Sequence, residues 1–488
     1  MAEDQTETPF LQAIVPILIL VTLILYGLIV RPLWLGETPI PLEIIFILAA
    51  AITVAQLFML GHRWQDIQSS IVTKLCRALP AFFILFCIGL IIASWIICGT
   101  IPMLVAWGLE IIDPNYLYLV AFLAPVVFST LTGTSWGSVG TIGVVILGIA
   151  TALEANLGIT AGAIIGGAYF GDKMSPLSDT TNLAALAADV DLFEHIRSMM
   201  LTTIPSAIMA ALVYFVMGFI DPPQTSADDL ETVNTYLVGL RSIFHFGWLL
   251  LLPPVIVLIG SLQRLPTVPV LISSVMVACI LAWGLQPFTF TDIVNSIYKG
   301  FDASSMVTWV DNVPAEVGVL LDRGGLYALN DAIITAFMVF VFIGAMEHIR
   351  AMPTVVNRLL AGVHSARSTI LTTLLATGVT NALTSNQYAT SFIVGDAFKS
   401  KYDRLGVPRK VLSRSLEDAG TMIETLIPWT AASLFMGATL GISFSDYWHW
   451  QLLSLINLVV AGFLASTGIG CFLNPAIKPI GGKKLKEH

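Results

Sequence analysis

The chain is a succession of apolar runs, each about as long as a bilayer is thick. They fall at about 11–30, 39–60, 78–101, 115–131, 137–153, 160–188, 198–220, 246–263, 268–285, 326–349, 367–383, 389–402, 411–443 and 449–470. A spanning helix needs roughly 20 apolar residues. In lipid every backbone N–H and C=O must find its partner inside the structure, which leaves helices and closed barrels as the spanning forms. Barrel strands would read as short alternating segments, so these runs predict an all-α polytopic membrane protein with about 11–14 membrane segments. Composition agrees: 56% of the 488 residues are hydrophobic and 11% charged, where soluble domains carry about a quarter. A receptor with one anchor and a large soluble domain is excluded. Residues 1–8 are acidic and lack the basic region of a cleaved signal peptide, so the run from Phe10 to Val30 reads as a retained first helix. Cys76, Cys87, Cys98, Cys279 and Cys471 form no CxxC pair and read as small packing residues.

The two halves of the chain echo one another. Leu131-Thr-Gly-Thr-Ser-Trp136 aligns with Leu383-Thr-Ser-Asn-Gln-Tyr388 at an offset of 252, and Asp172-x-x-x-Pro176 aligns with Glu424-x-x-x-Pro428 at the same offset. Upstream, 64–71 resembles 290–297 at an offset of 226. Transporters commonly carry such internal symmetry. Charge tests its sense, because Lys and Arg concentrate in cytoplasmic loops. The basic stretch 399–414 corresponds to 147–162, which has no base, and the tail with Lys478, Lys483, Lys484 and Lys486 corresponds to the acidic loop near 221–240. Two inverted structural repeats follow as the expectation, 1–220 and 246–488, joined by an acidic extracytoplasmic linker at 221–245, with both termini cytoplasmic.

Inverted-repeat transporters bind cargo near the midplane, on discontinuous helices or re-entrant hairpins. Each half has two candidate breaks. Phe128 to Ser138 interrupts an apolar stretch with hydroxyls and glycines, and Thr380 to Tyr388 is its partner. Such segments supply the hard oxygen ligands that a small cation takes, or else pack helices together. At the second break, Pro176 cannot donate to the carbonyl of Asp172, and Pro428 cannot donate to that of Glu424. A carboxylate and its own freed carbonyl are thereby offered in each half. An intramembrane acid costs about 2.5–3.5 kcal/mol on insertion scales, so a proton or a bound cation must neutralise it. Mutually exclusive neutralisation is the chemistry of a cation/proton exchanger.

Asp172, Asp179 and Glu424 are therefore the candidate proton and cation carriers. Thr132, Thr134, Ser135, Ser175 and Asn182 from the first half, with Thr384, Asn386 and Gln387 from the second, are candidate ion-coordinating oxygens. Asp172, Thr134 and Asn386 are the sodium candidates. Lys173 either neutralises Asp172 or forms an ion pair with a neighbour, and Glu417 and Asp418 either pair with the basic loop or take part in function. Glu110, Asp113, Glu154 and Glu347 fall near segment ends, and His348 and His364 form no ligand cluster. The glycines from Gly162 to Gly171 lie in an apolar membrane run rather than a dinucleotide-binding turn. No cofactor and no nucleic acid is expected, and neither a nucleophile/base pair nor a metal cluster suggests an enzyme.

Gly133-Thr-Ser-Trp-Gly137, Gly140-Thr-Ile-Gly143 and Gly171-Asp-Lys-Met-Ser-Pro-Leu-Ser-Asp-Thr-Thr-Asn-Leu-Ala184 resemble the signature stretches of the NhaC-type sodium/proton antiporter family. Ser385 to Tyr388, Leu412 to Thr421 and Leu426 to Trp429 are similar to its later motifs. The resemblance implies the ion-transporter-superfamily architecture, the plasma membrane of a prokaryote, and sodium and protons as cargo. The family also contains sodium- and proton-coupled exchangers of organic acids of malate/lactate type, which adds a small carboxylate as an alternative partner and leaves a homodimer open. The sequence departs from the family pattern at Glu424-Thr425, where a small polar residue and often a proline are expected, and at Thr430, where Asn or Ser is expected.

Overall fold

The computed structural model describes residues 9–223, 230–310, 313–360 and 365–472. The basic tail, Asp228, Asp229 and His364 lie outside the described residues. Among those residues every regular element is a helix. Eight helices are long and apolar enough to cross a membrane, and two bent pairs bring the number to ten. The bent pairs are Asn234–Ile243 with Trp248–Leu262, turning by 97°, and Phe444–Trp450 with Leu452–Thr467, turning by 49°. The other apolar runs form the shorter helices Thr100–Ile111 and Ala431–Leu440, or helices carrying the motif residues, such as Leu157–Met174 and Gln387–Leu405. Their glycines, hydroxyls and charges keep them below the hydropathy of a lipid-facing span. Hydropathy alone therefore counts more segments than there are simple crossings.

Small residues set the closest packing. Leu157–Met174 lies against Leu117–Thr132 so tightly that a Cβ on Gly167 would stand 2.2 Å from the Phe122 carbonyl oxygen, and one on Gly171 would stand 2.1 Å from Ser129 Oγ. Another face of the same helix meets the Phe444–Trp450 segment, where a Cβ on Gly162 would sit 2.5 Å from the Trp450 carbonyl. Apolar side chains gain little by leaving lipid for a helix interface, so such glycine contacts and interhelical hydrogen bonds hold the bundle. Ser129 Oγ donates to the Gly167 carbonyl at 3.1 Å, and Trp95 Nε1 donates to Ser274 Oγ at 3.0 Å. The sequence match between 64–71 and 290–297 marks the first turns of Trp64–Ile97 and Phe290–Lys299.

Polar ties distinguish the two ends of the bundle. Asp189 pairs with Lys399 at 3.0 Å and Arg409 at 2.8 Å, and Lys399 above all, by hydrogen bond and charge, holds the Asp189 carboxyl below its ordinary range. Asn156 donates to Asp221 at 3.1 Å. The helix Leu192–Ile220 connects the two regions over 29 residues, about 43 Å at the α-helical rise.

Candidate functional site

Both first breaks have the same local construction. Leu117–Thr132 ends at Gly133 with φ +69°, Thr134 caps the following turn by accepting the Gly137 N–H at 3.2 Å, and helix resumes at Ser135. In the second half Ala366–Thr384 ends at Ser385 with φ +48°, Asn386 accepts the Ala389 N–H at 2.8 Å, and helix resumes at Gln387. A left-handed residue followed by a capping side chain lets the chain restart at a new angle. At Gly133 a Cβ would lie 2.6 Å from Leu177 Cβ. Ser385 tolerates the left-handed backbone, where its Oγ accepts the Ala431 N–H at 2.8 Å. In each half one break is thus seated on the other.

The second breaks follow from the prolines. Leu157–Met174 stops before Pro176 and helix resumes at Asp179, while the turn Met422–Glu424 stops before Pro428 and helix resumes at Ala431. Both carbonyls are freed from the helical ladder, and threonines take them up. The Asp172 carbonyl accepts from Thr181 Oγ1 at 2.8 Å and Thr180 Oγ1 at 3.2 Å, and the Glu424 carbonyl accepts from Thr430 Oγ1 at 2.5 Å. Thr430 also caps its helix by accepting the Ser433 N–H at 3.1 Å. Thr430 thus has a clear structural job. Thr430→Val should destabilise the protein by about 1–2 kcal/mol, a lost cap together with an orphaned carbonyl. Thr430→Ser should melt with the wild type. Equal melting midpoints for the valine variant and the wild type in detergent would refute the role.

A cavity of about 690 Å³ brings the breaks of both halves together. Thr132, Thr134, Ser135, Asp172, Asp179 and Asn182 line it from the first half, and Asn386, Gln387 and Glu424 from the second. Ser175 and Thr384 are buried outside this lining: Ser175 Oγ donates to the Thr130 carbonyl at 2.9 Å, and Thr384 Oγ1 bonds Thr390 Oγ1 at 3.0 Å. Gln387 reaches the wall with its amide already bound to the Leu416 carbonyl at 3.0 Å and to Asn381 at 3.1 Å. Asp172 is half-buried, with Ser135 Oγ donating to one carboxylate oxygen and Ser178 Oγ to the other at 2.6 Å. It has no ion pair among the described residues.

Further residues belong to this site that the sequence reading did not single out. Trp136 lines the wall and stacks on Phe435, with ring centroids 4.2 Å apart, which holds the two halves together beside the cavity. Tyr169 is buried next to Asp172 and Glu424. Its place three residues before Asp172, on the same helical face, was the available signal. Arg77 and Arg264 also line the cavity.

Lys173 turns away from its neighbour Asp172. It is fully buried, pairs with Asp418, and donates to Asn457 Oδ1 at 2.9 Å. Asp418 also accepts from Thr202 Oγ1 at 2.8 Å and Asn457 Nδ2 at 3.1 Å, with Arg414 at 3.8 Å. Glu417 is bound by Thr421 at 2.5 Å rather than by the basic loop. Of the acids near segment ends, Glu110 pairs with Arg241, Glu347 pairs with Lys74 at 2.5 Å, and Asp113 caps the turn at Pro114. His348 bonds Ser70 and His62.

An all-helical membrane bundle with a polar cavity walled by broken helices is the build of a secondary transporter. The sequence pattern of the Na+/H+ antiporter family matches residues 167–469, and the chain belongs to that family. It is 40% identical to an uncharacterized Na(+)/H(+) antiporter of Haemophilus influenzae over 94% of this chain and 96% of that one. It is 34% identical to the Na(+)/H(+) antiporter NhaC of Alkalihalophilus pseudofirmus over 89% of this chain and 91% of the relative. A malate-2H(+)/Na(+)-lactate antiporter of Bacillus subtilis is 30% identical over 88% of this chain and 90% of its own. The protein is a multi-pass membrane protein of a family whose transported ions are sodium and protons.

Proposed function

We propose that this protein exchanges sodium for protons across a prokaryotic plasma membrane, with the two cations competing for Asp172. The observation that carries this reading is the Asp172 carboxylate itself, on the wall of an intramembrane cavity, held by two serine hydroxyls and without a basic partner among the described residues. Such a group is neutralised by what it binds. A proton satisfies it alone, whereas sodium needs further oxygens, which Thr134, Asn386, Asp179 and Glu424 offer around the same space. Membership in the Na+/H+ antiporter family supports the pair of cargoes.

Alternating access would run on two inverted repeats, 1–220 and 246–488. Support comes from the shared construction of the paired breaks and from the loops at 153–156 and 405–408, which are 252 residues apart in sequence. The first is tied to Asp221 and the second lies beside Asp189, at opposite ends of Leu192–Ile220. Positive charge at 399–414 supports a cytoplasmic position for the latter end and, on the repeat arrangement, for both termini.

The test is a sodium gradient imposed on proteoliposomes containing the purified chain, with a lumenal dye reporting pH. Sodium entry should drive proton exit, and potassium should not replace it. No pH change with sodium or lithium would overturn the assignment.

A further inference from the structure

Among the described residues, the fully buried carboxylates are Glu417 and its neighbour Asp418. Asp418 is committed: it holds Lys173 and accepts from Thr202 and Asn457. Glu417 makes no ion pair among the described residues. One of its oxygens takes the Thr421 hydroxyl at 2.5 Å, and the other, Oε1, has no hydrogen-bond partner. Both residues lie in the turn Glu417–Thr421, which winds as a π-helix between Arg409–Leu416 and Met422–Glu424. Single π turns inside α-helices gather at functional sites. Packing does not call for an acid here, because the residue 252 positions earlier, in the first half, is the equally buried Ile165.

The Lys173–Asp418 pair fixes where Glu417 stands relative to cargo. Asp172 precedes Lys173 and Glu417 precedes Asp418, so the two carboxylates flank one ion pair, one from each half. Asp172 lines the cavity and Glu417 does not. Gln387 lines it instead, with its amide on the Leu416 carbonyl at 3.0 Å and in the space that a side chain on Gly420 would need. A sodium ion in the cavity thus meets Asp172 and not Glu417. The charged and titratable groups around Glu417 are Arg414 and Asp418 on its own helix, Glu424 just beyond, and Asp172 and Lys173 on Leu157–Met174. Tyr388, His195 and Asp179 stand on the other helices packed against this turn. Two buried bases, Lys173 and Arg414, balance Asp418 and an ionised Glu417, which keeps that form within reach. A bare anion at Asp172 opposes it, since like charges at close quarters disfavour double ionisation.

We propose that Glu417 is a second proton site of the exchanger, emptied by sodium that never touches it. While Asp172 is a bare anion, Glu417 keeps its proton. When sodium settles on Asp172 the charge there is covered. The O–H bond of Glu417 then breaks, its electron pair stays on the carboxylate, and the proton passes to water. The two acids titrate as a pair, and coupling extends to a pH at which Asp172 has no proton of its own to give up. The inference rests on the antiport reading of Asp172 and deepens it.

The experiment adds sodium chloride to the purified full chain in weakly buffered detergent, with choline chloride as control, and counts protons released per sodium bound across a pH series. Wild type should release protons from the acid end well into the alkaline range. Glu417→Gln should release them at the acid end alone, where Asp172 itself is protonated, and bind sodium without release above it. Its upper limit should fall by about one pH unit or more, the size of interaction that defines a coupled pair. Thr421→Val should move that limit the other way, to higher pH, because it strips a hydroxyl that donates to the ionised form. Opposite shifts from two changes in one turn are not what a merely structural role gives. A release profile shared by Glu417→Gln and the wild type overturns the proposal and leaves Glu417 a fixed member of the buried ion cluster. Should that variant fail to fold, a Thr421→Val profile unmoved from the wild type overturns it equally. Absence of sodium-driven release from the wild type at every pH sinks the antiport reading first, and this inference with it.

Discussion

Asp172→Asn should abolish sodium-driven proton movement, by at least about 100-fold, in vesicles where the wild type is active. One good charge-assisted contact accounts for roughly 1.5–3 kcal/mol, and this substitution removes the cation's charged ligand and the titrating proton together. The amide is nearly isosteric and can still bond Ser135 and Ser178, whose hydroxyls rotate to donate or accept. Folding should therefore survive, and the melting midpoint should match or exceed that of wild type because an intramembrane charge is gone. Glu424→Gln, on the same wall, tests whether the second carboxylate shares the load: a changed ratio of protons to sodium, rather than silence, is its expected signature. Undiminished exchange in Asp172→Asn would move the carrier role to another acid.

The largest stability effect should come from the buried pair one residue along. Removing one member of such a pair leaves an uncompensated charge and costs about 3–5 kcal/mol. Asp418→Asn should be the worse of the two single changes, because it strands Lys173 and deprives Arg414 of its anion as well. Lys173→Met leaves Asp418 with Thr202, Asn457 and the more distant Arg414. Combining Lys173→Met with Asp418→Leu should recover much of the loss, since a well-packed apolar pair often substitutes for a buried ionic one. Thermal unfolding in detergent reads all three. Additive losses in the double variant would show that the two charges do not act as a pair.

Much of the fold was legible in order along the chain. Apolar length dictated helices, and the offset of 252 residues located two pairs of breaks, in the first of which the left-handed residues, Gly133 and Ser385, and the capping residues, Thr134 and Asn386, turn out to match. The prolines told correctly which carbonyls leave the ladder. What took those carbonyls was less legible, because the threonine hydroxyls that bind them are as common in packing as in capping. Lys173 shows a harder limit: its partner lies 245 residues away, and nothing in local spacing records a contact between distant helices. Ser175 and Thr384 fall outside the cavity lining for a similar reason, since which way a residue at a helix end faces is set by the tertiary packing.

If cargo binds at the proposed site, the threonines that close off the Asp172 and Glu424 carbonyls shift selectivity onto replaceable parts. A filter built from main-chain oxygens is hard to retune, because any change of residue leaves the oxygens in place. Here two such oxygens are occupied by the protein itself, and the chemistry presented to cargo rests more heavily on carboxylates, hydroxyls, amides and guanidinium groups. A single codon can alter each of these without disturbing the broken helices that carry them. One scaffold can in this way be handed from one cargo to another over evolutionary time, its framework conserved and its preferences rewritten at the wall.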